Sequence, residues 1–121
     1  MKFVKTSIPD IVLIKPKVHK DQRGYFVETY RQNEFDDAIG RKVNFCQNNE
    51  TKSEKGVLRG LHFQLPPFAQ SKLVSVIKGE VLDVSVDIRH GSPTFGNYVA
   101  ERLSDVNKHQ LFIPRGFAHG F

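Results

Sequence analysis

Residues 72–89 read Lys72-Leu73-Val74-Ser75-Val76-Ile77-Lys78-Gly79-Glu80-Val81-Leu82-Asp83-Val84-Ser85-Val86-Asp87-Ile88-Arg89. From Leu82 to Ile88 the apolar residues alternate with Asp83, Ser85 and Asp87. A period of two is the signature of a strand with one apolar and one polar face. The Lys72–Ile77 run is rich in β-branched residues, and Lys78-Gly79-Glu80 supplies a turn, so the two runs predict a hairpin. Gly91-Ser92-Pro93 then breaks the second strand. The polar face carrying Asp83 and Asp87 reads equally as a solvated surface or as a lined interior.

Working outward, short strands are predicted over 11–15, 24–30, 42–47, 98–103 and 110–113, with another from Phe117 onward. Ser104-Asp105 and Pro114-Arg115-Gly116 stand between them. Residues 33–40 are the one helical stretch, with Asn33 as its cap and Gly40 as its stop. Many short strands separated by turns predict an all-β antiparallel sandwich or barrel. The 121 residues contain no repeat and no linker-like stretch, which suits a single domain.

Composition narrows the function classes. No stretch reaches the roughly 18 apolar residues that a membrane-spanning helix requires. The segment before Lys15 and Lys17 has no apolar region of signal-peptide length, so a cytoplasmic protein is the expectation. The single cysteine, Cys46, makes no intrachain disulfide and reads as a small buried side chain. The formal charge of +5 favours an anionic partner. The basic residues are scattered, and Lys15-Pro16-Lys17 with Lys20 is too thin for a nucleic-acid arm. A phosphorylated small molecule, which needs only a few cations, remains.

Three clusters carry chemistry: Arg59-Gly60-Leu61-His62-Phe63-Gln64, Gln70-Ser71-Lys72, and Pro114 through Phe121. Histidine is the side chain suited to proton transfer near neutral pH and is also a common metal ligand. The Pro114-x-Gly116-x-x-His119 spacing matches the second motif of cupin barrels. The first motif would place another histidine where Gln64 stands, which leaves only His62 and His119. Two imidazoles without carboxylate or thiolate help rarely hold a divalent ion, so no metal and no cofactor is expected. Taken singly, His62 reads as a structural histidine, Lys72 as a surface lysine, Phe26 as core and Arg23-Gly24 as a turn.

Taken together the blocks say more. Asp21-Gln22-Arg23-Gly24-Tyr25-Phe26-Val27-Glu28, Gln47-Asn48-Asn49, Gly56 through Gln64, Gln70-Ser71-Lys72-Leu73, Gly79 through Val84, Val86-Asp87-Ile88-Arg89, Ser92 through Gly96 and Ile113 through Phe121 follow one another in order. This series closely resembles the dTDP-4-dehydrorhamnose 3,5-epimerase family, whose fold is a cupin-like antiparallel β-barrel (jelly roll). The resemblance implies an isomerase that inverts C3 and C5 of a dTDP-4-keto-6-deoxy-glucose in deoxysugar (L-rhamnose) biosynthesis. A proton alpha to a carbonyl is acidic because the carbanion delocalises onto oxygen. The site therefore needs a base, an enolate stabiliser and an acid on the opposite face.

By resemblance His62 is the base and Lys72 faces the enolate oxygen. Asp83 lines the barrel, where it orients Lys72 or His62, and His119 lines the sugar pocket and donates a hydrogen bond. Arg23 and Arg59 contact the diphosphate or sugar, with Gln47 and Asn49 in the same region. Phe26 stacks on thymine, and Glu28 meets the base edge. The segment around Arg23 and Phe26 reaches the neighbouring subunit's site, which implies a homodimer. Residues 1–121 form a single cupin-like epimerase domain lacking the family's C-terminal part, which supplies the opposite-face tyrosine and an aspartate behind the base. The barrel is therefore expected to be incomplete. The alternatives are a single-carbon epimerase or keto-sugar isomerase, a non-catalytic nucleotide-sugar binding module, and a metal-dependent cupin oxygenase.

Overall fold

The computed structural model describes residues 1–121. It contains β1 (Lys2–Lys5), β2 (Val12–Lys15), β3 (Val18–Asp21), β4 (Gly24–Val27), α1 (Gln32–Ile39), β5 (Lys72–Ser75), β6 (Glu80–Asp87), β7 (Tyr98–Ser104), β8 (Gln110–Ile113) and β9 (Phe117–Gly120). The strands form sheets ordered β1-β2-β8-β5, β3-β4 and β7-β6-β9, and every pairing is antiparallel. This is the expected all-β, cupin-like class, with the barrel not closed.

The β5–β6 hairpin does not form. β5 pairs with β8, in the register Lys72↔Ile113 to Ser75↔Gln110. A strand has two hydrogen-bonding edges, and β6 gives one to β7 and the other to β9. The turn through Gly79, at φ +85°, thus carries the chain from one sheet to the other. The expected strand over 42–47 is absent, and β1 and β3, which lack strong alternation, are present.

The four-stranded and three-stranded sheets face each other across one core. Leu13, Leu111 and Ile113 come from the first sheet, Ile11 from the bend just before β2, and Val99, Leu103 and Phe117 from the second sheet. The alternate residues of β2 and β8 project to the other side of the first sheet. There Val12, Ile14 and Phe112 pack against Phe35 of α1 and Val43. The rings of Phe35 and Phe112 meet edge to face, with centroids 5.2 Å apart. Burying a phenylalanine this completely contributes about 1.5–3 kcal/mol. Helix α1 begins at Gln32: Arg31, two residues before the expected Asn33, is its cap and makes no side-chain capping bond, so Asn33 lies inside the first turn. Gly40 ends it as expected, in the left-handed conformation, with its N–H donated to Asp36 O. Cys46 is exposed rather than buried, because its segment crosses the surface without joining a sheet.

Candidate active site

The polar face of β6 turns inward. Asp83, Ser85 and Asp87 have no exposure, whereas Leu82 on the opposite face is 52% exposed. The solvated-face reading of these aspartates is therefore overturned. The interior at this end of the molecule is polar, and polar groups are buried only when something chemical holds them there.

β9 brings the first histidine cluster to this interior. Residues 59–62 run beside it as an additional edge. Arg59 N donates to Phe121 O at 2.7 Å and Phe121 N to Arg59 O at 2.9 Å. His62 N donates to His119 O at 2.8 Å and His119 N to His62 O at 2.9 Å. Gly60 and Leu61 together face Gly120 alone, which makes a β-bulge. Only glycine permits this approach. A Cβ on Gly120 would lie 2.5 Å from Arg59 O, and one on Gly60 would lie 2.7 Å from the Gly120 Cα. Sequence reasoning quoted both glycines but missed that each makes room for the other.

Partners in an antiparallel pair project from the same face. The exposed His62 ring and the buried His119 ring therefore stand side by side on the interior face. Across β9, His119 is in register with Ser85 of β6. Its Nε2 lies 2.7 Å from Asp83 Oδ2. Asp83 thus meets His119; it forms no hydrogen bond with His62 or Lys72, contrary to expectation. The reason is register: Asp83 lies diagonally across the strand pair from His119, whereas His62 is one strand further out.

Burial pushes the Asp83 carboxyl above the usual carboxylate range, and the hydrogen bond and charge of His119, then the Lys72 ammonium, pull it back. Lys72, at the start of β5 in the facing sheet and only part-exposed, is in register with the core residue Ile113 and so projects from the same face, toward this interior. Asp83 Oδ1 and Ser85 Oγ are buried without a hydrogen-bond partner. Ser85 was missed as a lining residue, although its place between Asp83 and Asp87 on one strand face was a usable signal. No group of three His, Cys, Asp or Glu side chains is placed to hold a metal ion.

The remaining predicted residues lie apart from this cluster. Arg23 forks onto Asp21, at 3.1 Å from Nε and 2.5 Å from Nη2. Phe26 is 68% exposed, which removes its reading as a core residue. Glu28 accepts from Arg31 Nη2 at 2.6 Å. All three belong to the β3–β4 hairpin or its exit, a separate two-stranded sheet, and no hydrogen bond joins them to His62, Lys72, Asp83 or His119. Gln47 Nε2 donates to Asn49 Oδ1 at 3.1 Å. Arg59 is held by Ser53 Oγ at 2.8 Å and Lys52 O at 3.1 Å. Tyr25, Tyr30 and Tyr98 all lie toward solvent. No helix is long and apolar enough to cross a membrane.

Comparison with known proteins fits this arrangement. The family model described as dTDP-4-dehydrorhamnose 3,5-epimerase matches residues 5–121. The dTDP-4-dehydrorhamnose 3,5-epimerase of Shigella flexneri is 59% identical over 121 residues, which is all of this chain and 67% of that protein. The crystal structure of the 3,5-epimerase from Legionella pneumophila in complex with dTDP-4-keto-L-rhamnose superposes with a TM-score of 0.94 at 49% identity, covering 99% of this chain and 63% of that one. A 3'-monoepimerase from Streptomyces bikiniensis in complex with dTDP-quinovose superposes with a TM-score of 0.89 at 33% identity, covering 96% of this chain and 59% of that one. The chain thus spans about two thirds of the length of the curated relatives it matches. On its matched length, ordered motifs and superposition, this chain belongs to the dTDP-4-dehydrorhamnose 3,5-epimerase family.

Proposed function

We propose that the chain epimerises C3 and C5 of a dTDP-4-keto-6-deoxy-glucose, giving dTDP-4-keto-rhamnose, by removing the proton alpha to the ketone. The observation that carries this reading is the juxtaposition of His62 with the His119–Asp83 pair on a face toward which Lys72 directs its charge. His62 is the only one of these groups that is exposed and free of a side-chain partner, which suits the base. A well-placed general base contributes about 10²–10⁴-fold. Lys72 supplies positive charge where the enolate oxygen develops. A preorganised donor at such a position is worth roughly 10²–10³-fold in rate. His119 contacts the sugar. Arg23, Arg59, Gln47 and Asn49 take the nucleotide diphosphate, where a guanidinium fork matches phosphate oxygens.

The exposed Phe26 and the detached β3–β4 hairpin suit a site shared between subunits, with Phe26 on the thymine of a neighbour and Glu28 at the base edge. The protein is accordingly a homodimer that works in the cytoplasm, where nucleotide sugars are made. It binds a dTDP-sugar and no nucleic acid or membrane.

The test is solvent exchange. Incubation with the keto sugar in deuterium oxide is expected to label C3 and C5, and His62→Ala to abolish labelling while dTDP affinity stays within a few-fold. Undiminished labelling in that variant removes His62 from the role of base. Lys72→Ala is expected to lower kcat more than it raises KM. The relationship to a 3'-monoepimerase makes single-carbon inversion the second reading, and label confined to C3 selects it.

A further inference from the structure

His119 is more tightly held than a ligand-contacting side chain needs to be. Both its main-chain groups are bonded to His62. Its side chain is 8% exposed, and Nε2 lies 2.7 Å from an Asp83 carboxylate that has no exposure. No protein group bonds the other ring nitrogen, Nδ1. We infer that Asp83 is a positioning residue that acts through His119: by accepting a hydrogen bond from Nε2–H it fixes the neutral tautomer and leaves Nδ1 as a hydrogen-bond acceptor for a hydroxyl of the bound sugar.

The charges facing the pair favour an uncharged ring, and the hydrogen bond to Asp83 selects its tautomer. Lys72 contributes one cation and Asp83 one anion to this interior. A neutral imidazole between them leaves the cluster uncharged. A protonated one places a second cation in a desolvated space, where each unpaired charge is expensive. With Asp83 ionised, its only proton partner on the ring is Nε2–H, so Nδ1 keeps its lone pair. An acceptor there selects a hydroxyl over a carbonyl. It therefore holds a hydroxyl of the hexose rather than its carbonyl and helps hold the ketone toward Lys72. This reverses the expectation that His119 donates to the sugar. The identity of the ligand rests on the epimerase reading; the tautomer does not.

Two measurements test it. Nitrogen-15 spectra of the histidine-labelled chain without ligand, near pH 7.5, are expected to show His119 protonated at Nε2 only. Protonation at Nδ1, or at both nitrogens, overturns the inference without any variant. In Asp83→Asn the side-chain amide can donate to Nε2 instead, so the Nδ1-protonated form is expected to appear. That variant is expected to bind dTDP within about twofold of the parent and dTDP-quinovose about tenfold more weakly, the scale of one hydrogen bond. His119→Gln is expected to lose a similar factor, and the double variant no more than His119→Gln alone. Equal weakening toward dTDP and dTDP-quinovose, or additive losses in the double variant, makes Asp83 merely structural. If the parent shows the expected tautomer and cycle but incorporates no deuterium at C3 or C5, the epimerase reading fails and the positioning role stands.

Discussion

Asp83 and Asp87 sit on the same face of the same strand, four residues apart and both without exposure, yet their surroundings are opposite. Asp87 accepts from Arg89 N at 3.0 Å, Arg89 Nε at 3.0 Å, Arg89 Nη2 at 2.8 Å, Ser92 Oγ at 2.6 Å and Thr94 Oγ1 at 2.5 Å. Arg89 is fixed in turn by Asp10 at 2.9 Å and lies 4.6 Å over the ring of Phe117. Asp83 has His119 alone, with one oxygen bare. The Arg89 guanidinium, against a smaller opposing effect of burial, holds Asp87 far below the usual carboxylate range, with Ser92 and Thr94 assisting. At Asp83 burial wins and the shift is upward. One end of β6 is a saturated structural joint. The middle of the strand, at Asp83, keeps unspent hydrogen-bonding capacity, which is characteristic of a place that receives a ligand.

The comparison breaks first at the saturated end. Asp87→Asn is expected to cost about 2–3 kcal/mol, below the roughly 3–5 kcal/mol of a fully buried ion pair, because Arg89 is itself partly solvated and keeps Asp10. The urea midpoint should fall with an unchanged m value. A loss under about 1 kcal/mol would mean that the network adds little.

Acid should then separate the two aspartates by sign. Asp87 has a depressed folded-state pKa, so its stabilisation is complete above its unfolded value near 3.9 and drains away as pH falls through the folded one. The parent should therefore lose stability on acidification below about pH 5, and Asp87→Asn should lose markedly less over the same interval. Asp83 has a raised folded-state pKa, so its contribution is most favourable below the unfolded value and declines as pH rises through the folded one. Relative to Asp83→Asn, the parent should gain stability as pH is lowered through that window. Near pH 7 the two should differ by only about 1 kcal/mol, since neutralising a desolvated carboxylate offsets the lost bond to His119. Parallel pH profiles for the Asp83 and Asp87 variants would erase the distinction.

Much of this fold was legible in the residues, but not the partners of its strands. Period-two alternation located β6, and breakers such as Pro114 and Gly116 located β8 and β9 to within a residue or two. Pairing was misread for β5 and β6 because a hairpin is inferred from local turn chemistry, whereas pairing is decided by which edges are free. Polarity left the same strand undecided. Alternation shows that two faces differ without showing which is inside, and a polar interior inverts the usual rule. For the site, His62, Lys72 and His119 stood out as residues with chemistry in ordered blocks. The Asp83–His119 contact did not, because it joins residues 36 apart through a register that no local pattern encodes. The close approach of Gly60 to Gly120 was hidden for the same reason.

The smallest expected effect tests that inversion. Leu82 is the apolar residue whose neighbours in the alternation, Val81 and Asp83, are part-buried and buried, while it stands 52% exposed and opposite the exposed Arg102. A leucine that has left little water cannot return much free energy when it is removed, so Leu82→Thr is expected to shift unfolding of the isolated subunit by no more than about 0.5 kcal/mol. Val99 is the control: on β7, in register with Ser85, it is 4% exposed and part of the core. Val99→Ala removes two methyl groups from the cluster of Leu103, Leu111 and Phe117 and should cost about 1–3 kcal/mol. If chemical denaturation instead found Leu82 costly and Val99 cheap, β6 and β7 would present their other faces to the core. Asp83 would then be returned to solvent, and its hold on His119 would dissolve with it.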